Sequence, residues 1–314
     1  MTARLRISAI ALAAALPGAA LAEAPEGWAP LLQPSELAEI LDSAEQEVRI
    51  IRISGDYAAG HIPGAVRSAY GDWRGPSENP GALRDIEHFR DLVQNLGVSA
   101  QTPVVVVHQG ANPTDMGTAA RVYWTLKSLG VEDLALLNGG FAAWQAADLP
   151  VSTDTPEIAR TDYAPQFDNT WRITTAEVEQ AVDAGDARLI DARPEGFFEG
   201  LTWSIADPGT IPGSGNLTYD VWFEGNDMVG PEGAARIAAE YDQTDAPMTV
   251  SFCNTGHWAA INWFALSELA EVDNTRLYAE SMAEWTAGDH ELMNEPGRVT
   301  YYWRSTTRWL GDLF

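Results

Sequence analysis

Residues 104–107 are four consecutive valines, and unbroken apolar runs of this kind mark strands covered on both faces of a sheet. Similar short runs end in small or polar residues at Ile51-Arg52-Ile53-Ser54-Gly55 and at Leu189-Ile190-Asp191-Ala192-Arg193. Helical patterns alternate with them, one carrying Val122, Trp124 and Leu126, another carrying Trp263, Phe264 and Leu266. Thr174 followed by Glu177 predicts a capping box that opens a helix through Val182. Ser35 is the predicted N-cap of the corresponding helix nearer the N-terminus. Strands alternating with helices predict a mostly parallel α/β sheet.

The pattern occurs twice, at an interval of roughly 140 to 150 residues. His61-Ile62-Pro63-Gly64-Ala65 corresponds to Thr210-Ile211-Pro212-Gly213-Ser214, and 104–107 corresponds to 249–252. Asn138-Gly139-Gly140-Phe141-Ala142-Ala143-Trp144 corresponds to Ala279-Glu280-Ser281-Met282-Ala283-Glu284-Trp285. Correspondences in the same order predict two similar domains, 25–151 and 172–314, joined by a linker at 152–171 that is rich in Thr, Asp and Pro. Trp303 and Trp309 in the tail are expected in the core or at the domain interface.

The N-terminus stands apart from both copies. Arg4 and Arg6 precede an apolar run over 7–16, and Ala20-Leu21-Ala22 supplies the small residues of a cleavage site. Residues 1–22 therefore read as a signal peptide and the mature protein as periplasmic. The run is too short to span a bilayer. A formal net charge of −26 over 314 residues excludes nucleic-acid and anionic-membrane partners, which need clustered Lys and Arg. Five scattered His and one Cys show no metal-ligand spacing, and no Gly-rich phosphate loop follows a strand. No cofactor is implied.

Cys253, the single cysteine, stands where the strand at 249–252 runs into a tight loop, Asn254-Thr255-Gly256-His257-Trp258, and then a helix over 259–269. Such a loop aims successive backbone N–H groups at one atom, and the helix start adds partial positive charge. Both favour a thiolate or an anionic persulfide. An intramolecular disulfide is excluded, so an unpaired Cys in an oxidising compartment is either buried or reactive. Gly256 lets the backbone turn without a Cβ clash.

These segments resemble the rhodanese family of sulfurtransferases in its tandem-domain form, over nearly the whole mature chain. Ala59-Gly60-His61-Ile62-Pro63-Gly64-Ala65 and Leu137-Asn138-Gly139-Gly140-Phe141-Ala142-Ala143-Trp144 match its characteristic segments, and Cys253 to Trp258 fits its six-residue active loop. The resemblance implies two rhodanese-like domains, each a mostly parallel sheet flanked by helices. It implies a catalytic Cys253 in the second and a first domain without a nucleophile, where His108 stands at the Cys253 position. The loop after His108, 109–118, reads as about five residues longer than its counterpart. The implied chemistry moves sulfur from a small anionic donor, of the thiosulfate or 3-mercaptopyruvate class, to a thiol or cyanide-like acceptor. A protein acceptor is also compatible.

Three departures bear on the donor. Thiosulfate-using relatives often carry Arg or Lys in the loop, and Asn254, Thr255, His257 and Trp258 include no permanent cation. Phe197 stands where a further Arg is expected, which leaves Arg193 as the nearby cation, either binding the donor or bracing the loop with Asp191. The longer stretch 200–209 brings Trp203 to this side of the domain. The expected pocket is aromatic, with His257 as an anion-binding group when protonated or as a proton donor. The other reading is a non-catalytic sulfur-carrier or partner-binding module. A phosphatase reading fails because Ala259 occupies the position where a phosphate-binding Arg is needed.

Overall fold

The computed structural model describes residues 24–43, 47–241 and 246–297, so the leader at 1–22 and both Trp303 and Trp309 lie outside the described residues. Its strands are β1 (Leu31–Leu32), β2 (Arg49–Arg52), β3 (Val66–Arg67), β4 (Val104–Val107), β5 (Leu134–Leu137), β6 (Ala187–Asp191), β7 (Gly215–Asn216), β8 (Phe223–Glu224), β9 (Asp227–Met228), β10 (Met248–Phe252) and β11 (Thr275–Leu277). Its helices are α1 (Pro34–Ser43), α2 (Ile86–Asn95), α3 (Pro113–Ser128), α4 (Gly140–Ala146), α5 (Thr175–Ala184), α6 (Glu195–Phe198), α7 (Pro231–Tyr241), α8 (Trp258–Phe264) and α9 (Ser281–Ala287).

Two parallel sheets result, ordered β1-β5-β4-β2-β3 and β11-β10-β6-β7. An isolated parallel bridge from Arg172 to Leu277 stands where β1 stands in the first copy. The repeat extends to single bonds: Phe141 N–H donates to His108 O, as Met282 N–H donates to Cys253 O.

Alternate valines of β4 explain its unbroken apolar run. Val105 and Val107 pack with Leu37, Phe141 and Trp144 in the first domain's own core, while Val104 and Val106 face a second cluster. That second cluster is continuous between the domains, joining Met116, Trp124 and Leu126 of α3 to Ile261, Trp263 and Phe264 of α8. Burial on both sheet faces is what removes the polar alternation of a half-exposed strand.

Local signals are met with two exceptions. Thr174 and Glu177 form the capping box, and α5 runs on to Ala184, where Gly185 at φ +68° ends it. Ser35, by contrast, lies inside the first turn of α1. The helix opens at Pro34, and the Glu36 carboxylate accepts from Gln33 N–H at 2.8 Å. Proline suits the first helical position because its missing N–H would be unpaired there.

The second exception is the loop after His108, which is not longer than its counterpart. Five residues, His108 to Asn112, separate β4 from α3, and five, Cys253 to His257, separate β10 from α8. Asn112 caps α3 by accepting from Asp115 N–H at 3.1 Å, so Pro113, which reads as a loop residue in sequence, opens a 16-residue helix instead. The segment 152–171 is mostly irregular and lies along the first domain, with Gln94 Nε2 donating to Tyr163 O at 2.7 Å and Tyr163 OH donating to Leu129 O at 2.5 Å.

Candidate active site

Cys253 follows the last residue of β10, an interior strand of the second sheet, at the carboxyl end where open α/β sheets bind ligands. Its side chain is 1% exposed. Its main chain is fixed twice: the N–H donates to Ser281 Oγ at 3.1 Å, and the carbonyl accepts from Met282 N–H at 3.0 Å. Ser281 in turn donates its hydroxyl to Tyr278 O at 2.6 Å, and it holds a left-handed φ of 54° to do so.

Among the described residues, the N–H groups of Asn254, Thr255, Gly256, His257 and Trp258 donate to no protein acceptor. Consecutive unpaired amides in a turn form a concavity suited to an anion. Gly256 adopts φ +67°, and a Cβ there would collide with Ala279 O and with Arg121 Nη1. Glycine is required at this position by both conformation and space.

A cavity of about 270 Å³ opens over the sulfur, lined by Arg74, Thr114, Ser204, Ile205, Cys253, Asn254, Thr255, His257 and Trp258. Two of these, Arg74 and Thr114, belong to the first domain. A larger cleft of about 610 Å³ surrounds Arg188 and Tyr241 at the opposite ends of the strands, away from the nucleophile. Among the described residues no cluster of three or more His, Cys, Asp or Glu could hold a metal.

The candidate side chains divide by position. Arg193 does not line the cavity. It is 1% exposed and bound to Asp191 through Nε (2.9 Å to Oδ1) and Nη2 (2.6 Å to Oδ2), while Nη2 also donates to Gly209 O at 2.7 Å. Thr210 Oγ1 completes the pair by donating to Asp191 Oδ2 at 2.8 Å. Arg193 reaches the loop only through Nη1, which donates to Asn254 Oδ1 at 3.0 Å, so this pair braces the loop. Asn254 then donates to Ser204 Oγ at 3.1 Å, tying 200–209 to the loop. Trp203 is 45% exposed and is not in the cavity wall, where Ser204 and Ile205 stand instead. Trp258 does line it, stacked on Tyr219 at 5.0 Å and edge-on to Phe197 at 5.9 Å.

His257 has a different setting from the anion-binding imidazole expected of an exposed loop residue. Its Nε2 lies 2.8 Å from Thr114 O, which only accepts, so Nε2 carries the proton and Nδ1 accepts from Tyr70 OH at 2.9 Å. Tyr70 accepts in turn from Arg74 Nη1 at 3.0 Å. The ring also lies against Gly117 of α3, where a Cβ would come within 2.7 Å of Nε2. Burial, then the nearby Arg74 charge, lower the His257 pKa from 6.5 to about 4. The imidazole is therefore neutral across the range where a free histidine titrates. It holds Tyr70, and through it Arg74, in place.

One pH prediction follows from this sign. The unfolded chain takes up the His257 proton below about pH 6.5 and the folded protein only near about pH 4, so acidification between these values destabilises the fold through this residue. His257→Gln is expected to flatten the fall of melting temperature between about pH 6.5 and 4 relative to the parent, in thermal unfolding monitored by circular dichroism. Parallel curves in that window would remove the imidazole from the account.

The first domain's equivalent loop is filled from within. Gly110 N–H and Ala111 N–H donate to Asp115 Oδ2 at 2.8 and 3.3 Å, and Ser54 Oγ donates to Oδ1 at 2.8 Å. Burial alone would raise the Asp115 carboxyl, but hydrogen bonds from His108, Ser54 and Ala111 hold it well below the usual carboxylate range. Its amides are thus spent on an internal anion. The corresponding amides beside Cys253 donate to no protein acceptor among the described residues.

The rhodanese-like domain family matches this chain twice, over residues 33–147 and 174–288. The chain belongs to the rhodanese-like family. It is 33% identical over 248 residues to the thiosulfate sulfurtransferase of Corynebacterium glutamicum, covering 73% of this chain and 78% of the relative. It is 30% identical over 271 residues to the 3-mercaptopyruvate sulfurtransferase of Escherichia coli K12, covering 80% of this chain and 92% of the relative. The crystal structure of SseA from Escherichia coli superposes with a TM-score of 0.70 at 24% identity, covering 81% of this chain and 98% of that one. The anaerobic ergothioneine biosynthesis enzyme of Chlorobium limicola shares the fold at a TM-score of 0.75 and 18% identity, covering 88% of this chain and 72% of that one. Relatives of this identity over most of both chains make the protein a sulfurtransferase.

Arg74, Tyr70, Thr114 and Arg121 are the site residues that sequence reasoning misses. All four come from the first domain, and no local pattern links them to a loop more than 130 residues away.

Proposed function

We propose that the protein moves a sulfane sulfur from a small anionic donor to a thiophilic acceptor through a persulfide on Cys253. What carries this reading is a buried cysteine whose loop amides are unpaired, facing a cavity with a guanidinium in its wall. The Cys253 thiolate attacks the donor's outer sulfur, a new S–S bond forms, and the donor's own bond to that sulfur breaks. The bonding pair leaves with the remainder of the donor, as sulfite if the donor is thiosulfate. The persulfide anion occupies the same amides. A thiol or cyanide-like acceptor then attacks the outer sulfur and releases the thiolate.

Arg74 supplies the charge that the loop lacks and holds the donor's anionic end, while Trp258 and Ile205 contact any organic body. The leader-like pattern at 1–22 and the acidic composition support a periplasmic site of action.

Intact-mass measurement tests the reading. Purified protein is incubated separately with thiosulfate, 3-mercaptopyruvate and a low-molecular-weight persulfide. The expected result is a gain of one sulfur atom from at least one donor, reversed by cyanide. No gain from any of the three would overturn the transfer reading in favour of a partner-binding module.

A further inference from the structure

The second domain carries an insertion that the first lacks. His61 follows the end of β2 by nine positions, whereas Thr210, its equivalent, follows the end of β6 by nineteen. The inserted stretch is pinned at both ends. Leu201 and Thr202 N–H groups donate to Gly196 O at 2.8 and 2.9 Å. Gly209 O accepts from Arg193 Nη2 at 2.7 Å, and Thr210 pairs with Met293 through both main-chain groups at 2.8 Å. Between these ends Ser204 and Ile205 reach the wall of the cavity over Cys253. Ile205 also packs against the core cluster that holds Tyr278 and Met282.

The polar side chains of that wall differ in the hydrogen bonds left to them. Thr114 Oγ1 meets Tyr219 OH at 2.8 Å and Trp258 Nε1 at 3.3 Å. His257 is occupied at both ring nitrogens. Asn254 Oδ1 accepts from Arg193 Nη1 at 3.0 Å, and a guanidinium only donates, so this contact fixes which end of the amide is oxygen. The other end, Nδ2, therefore donates to Ser204 Oγ at 3.1 Å. Ser204 receives that bond, and its own O–H hydrogen has no acceptor among the described residues. Asn254 thus turns the Ser204 hydroxyl into a hydrogen-bond donor at the cavity wall. The Thr255 hydroxyl also has no protein acceptor among the described residues, but it belongs to the loop itself, whereas Ser204 is brought from outside it.

Resting on the persulfide reading above, we propose that Ser204 contacts the sulfur donor, its hydroxyl donating to an anionic oxygen. A sulfonate and a carboxylate both present such an acceptor. Arg193, which does not line the cavity, acts on the donor only through Asn254 and Ser204. The insertion thereby adds to recognition what the shorter connection of the first domain cannot.

The test needs no sulfur transfer. Pyruvate and sulfate, which carry no transferable sulfur, are titrated as protectants of Cys253 against iodoacetamide in the full chain near neutral pH. Each variant is compared with its own unprotected rate. Ser204→Ala is expected to raise the half-protecting concentration of at least one anion about tenfold, the scale of one hydrogen bond to a charged group. Ser204→Thr, which keeps the hydroxyl, is expected to stay near the parent.

Asn254→Ala separates contact from bracing. In that background Ser204 has no amide to brace, yet Ser204→Ala is still expected to weaken protection several-fold. Loss of the Ser204→Ala effect there, a Thr variant as weak as the Ala variant, or an unchanged half-protecting concentration for both anions overturns the proposal. So does an absence of protection in the parent. Protection that depends on Ser204 in a parent that takes up no sulfur would sink the transfer reading and leave the contact standing.

Discussion

Cys253→Ser is expected to take up no sulfur from any donor, with turnover reduced at least about a thousandfold, while its circular dichroism and melting near neutral pH remain close to the parent's. The substitution exchanges sulfur for a nearly isosteric oxygen in a buried position whose main chain is anchored independently by Ser281 and Met282. Nothing that holds the loop depends on the sulfur. A hydroxyl does not ionise near neutrality, so the loop amides and nearby guanidinium groups have no anion to stabilise. His108→Ala provides the control. It alters the equivalent position of the first domain, whose amides are already occupied by Asp115, and turnover is expected to stay near the parent's. A loss on His108→Ala comparable with that on Cys253→Ser would show that the wrong domain has been assigned the chemistry.

The second large effect is expected at Arg74. Charge-assisted hydrogen bonds contribute about 1.5–3 kcal/mol each, so Arg74→Gln is expected to lower kcat/KM for an anionic donor about ten- to a hundredfold. The loss should fall mainly on KM and persist at every pH, because guanidinium stays charged. Steady-state kinetics with thiosulfate and 3-mercaptopyruvate check this, and an unchanged KM for both would place donor recognition elsewhere. The contrast is Arg193, which follows the end of β6, the strand beside β10. Its charge is committed to Asp191, and removing it would leave a buried carboxylate uncompensated, at a cost of about 3–5 kcal/mol in stability. Arg193→Ala should therefore be recognised by its melting temperature before its kinetics.

These two arginines show which parts of the molecule are legible in the sequence. The rhodanese-like fold, the duplication and the Cys253 loop are written in local patterns: apolar runs, capping residues, and a cysteine between strand and helix. The Asp191–Arg193 pair lies within three residues and could be read from the same segment. Arg74 and Arg121 could not. Arg121 enters the site because α3 packs on α8 across a shared core, and Arg74 because the turn at Tyr70–Trp73 packs on α3, contacts set by the summed shape of both surfaces. The same packing encloses His257, which removes the titration its exposed position in the sequence suggested. The apparent extra length of the first domain's loop, 109–118, disappears because Pro113 opens a helix within that stretch. Trp203 belongs to 200–209, a stretch with no equivalent in the first copy to indicate its direction.

The carboxylate of Asp115 has a consequence for how a duplicated enzyme can change. Replacing His108 by cysteine would place a thiol in the first copy, but the Gly110 and Ala111 amides beside it are already taken by Asp115. Recovering a second reactive centre would need at least two substitutions, the first of which confers nothing by itself. Selection cannot readily cross such a gap one step at a time. On the persulfide reading proposed above, the chain carries one sulfur per molecule, and its first copy is free to specialise as a partner to the second.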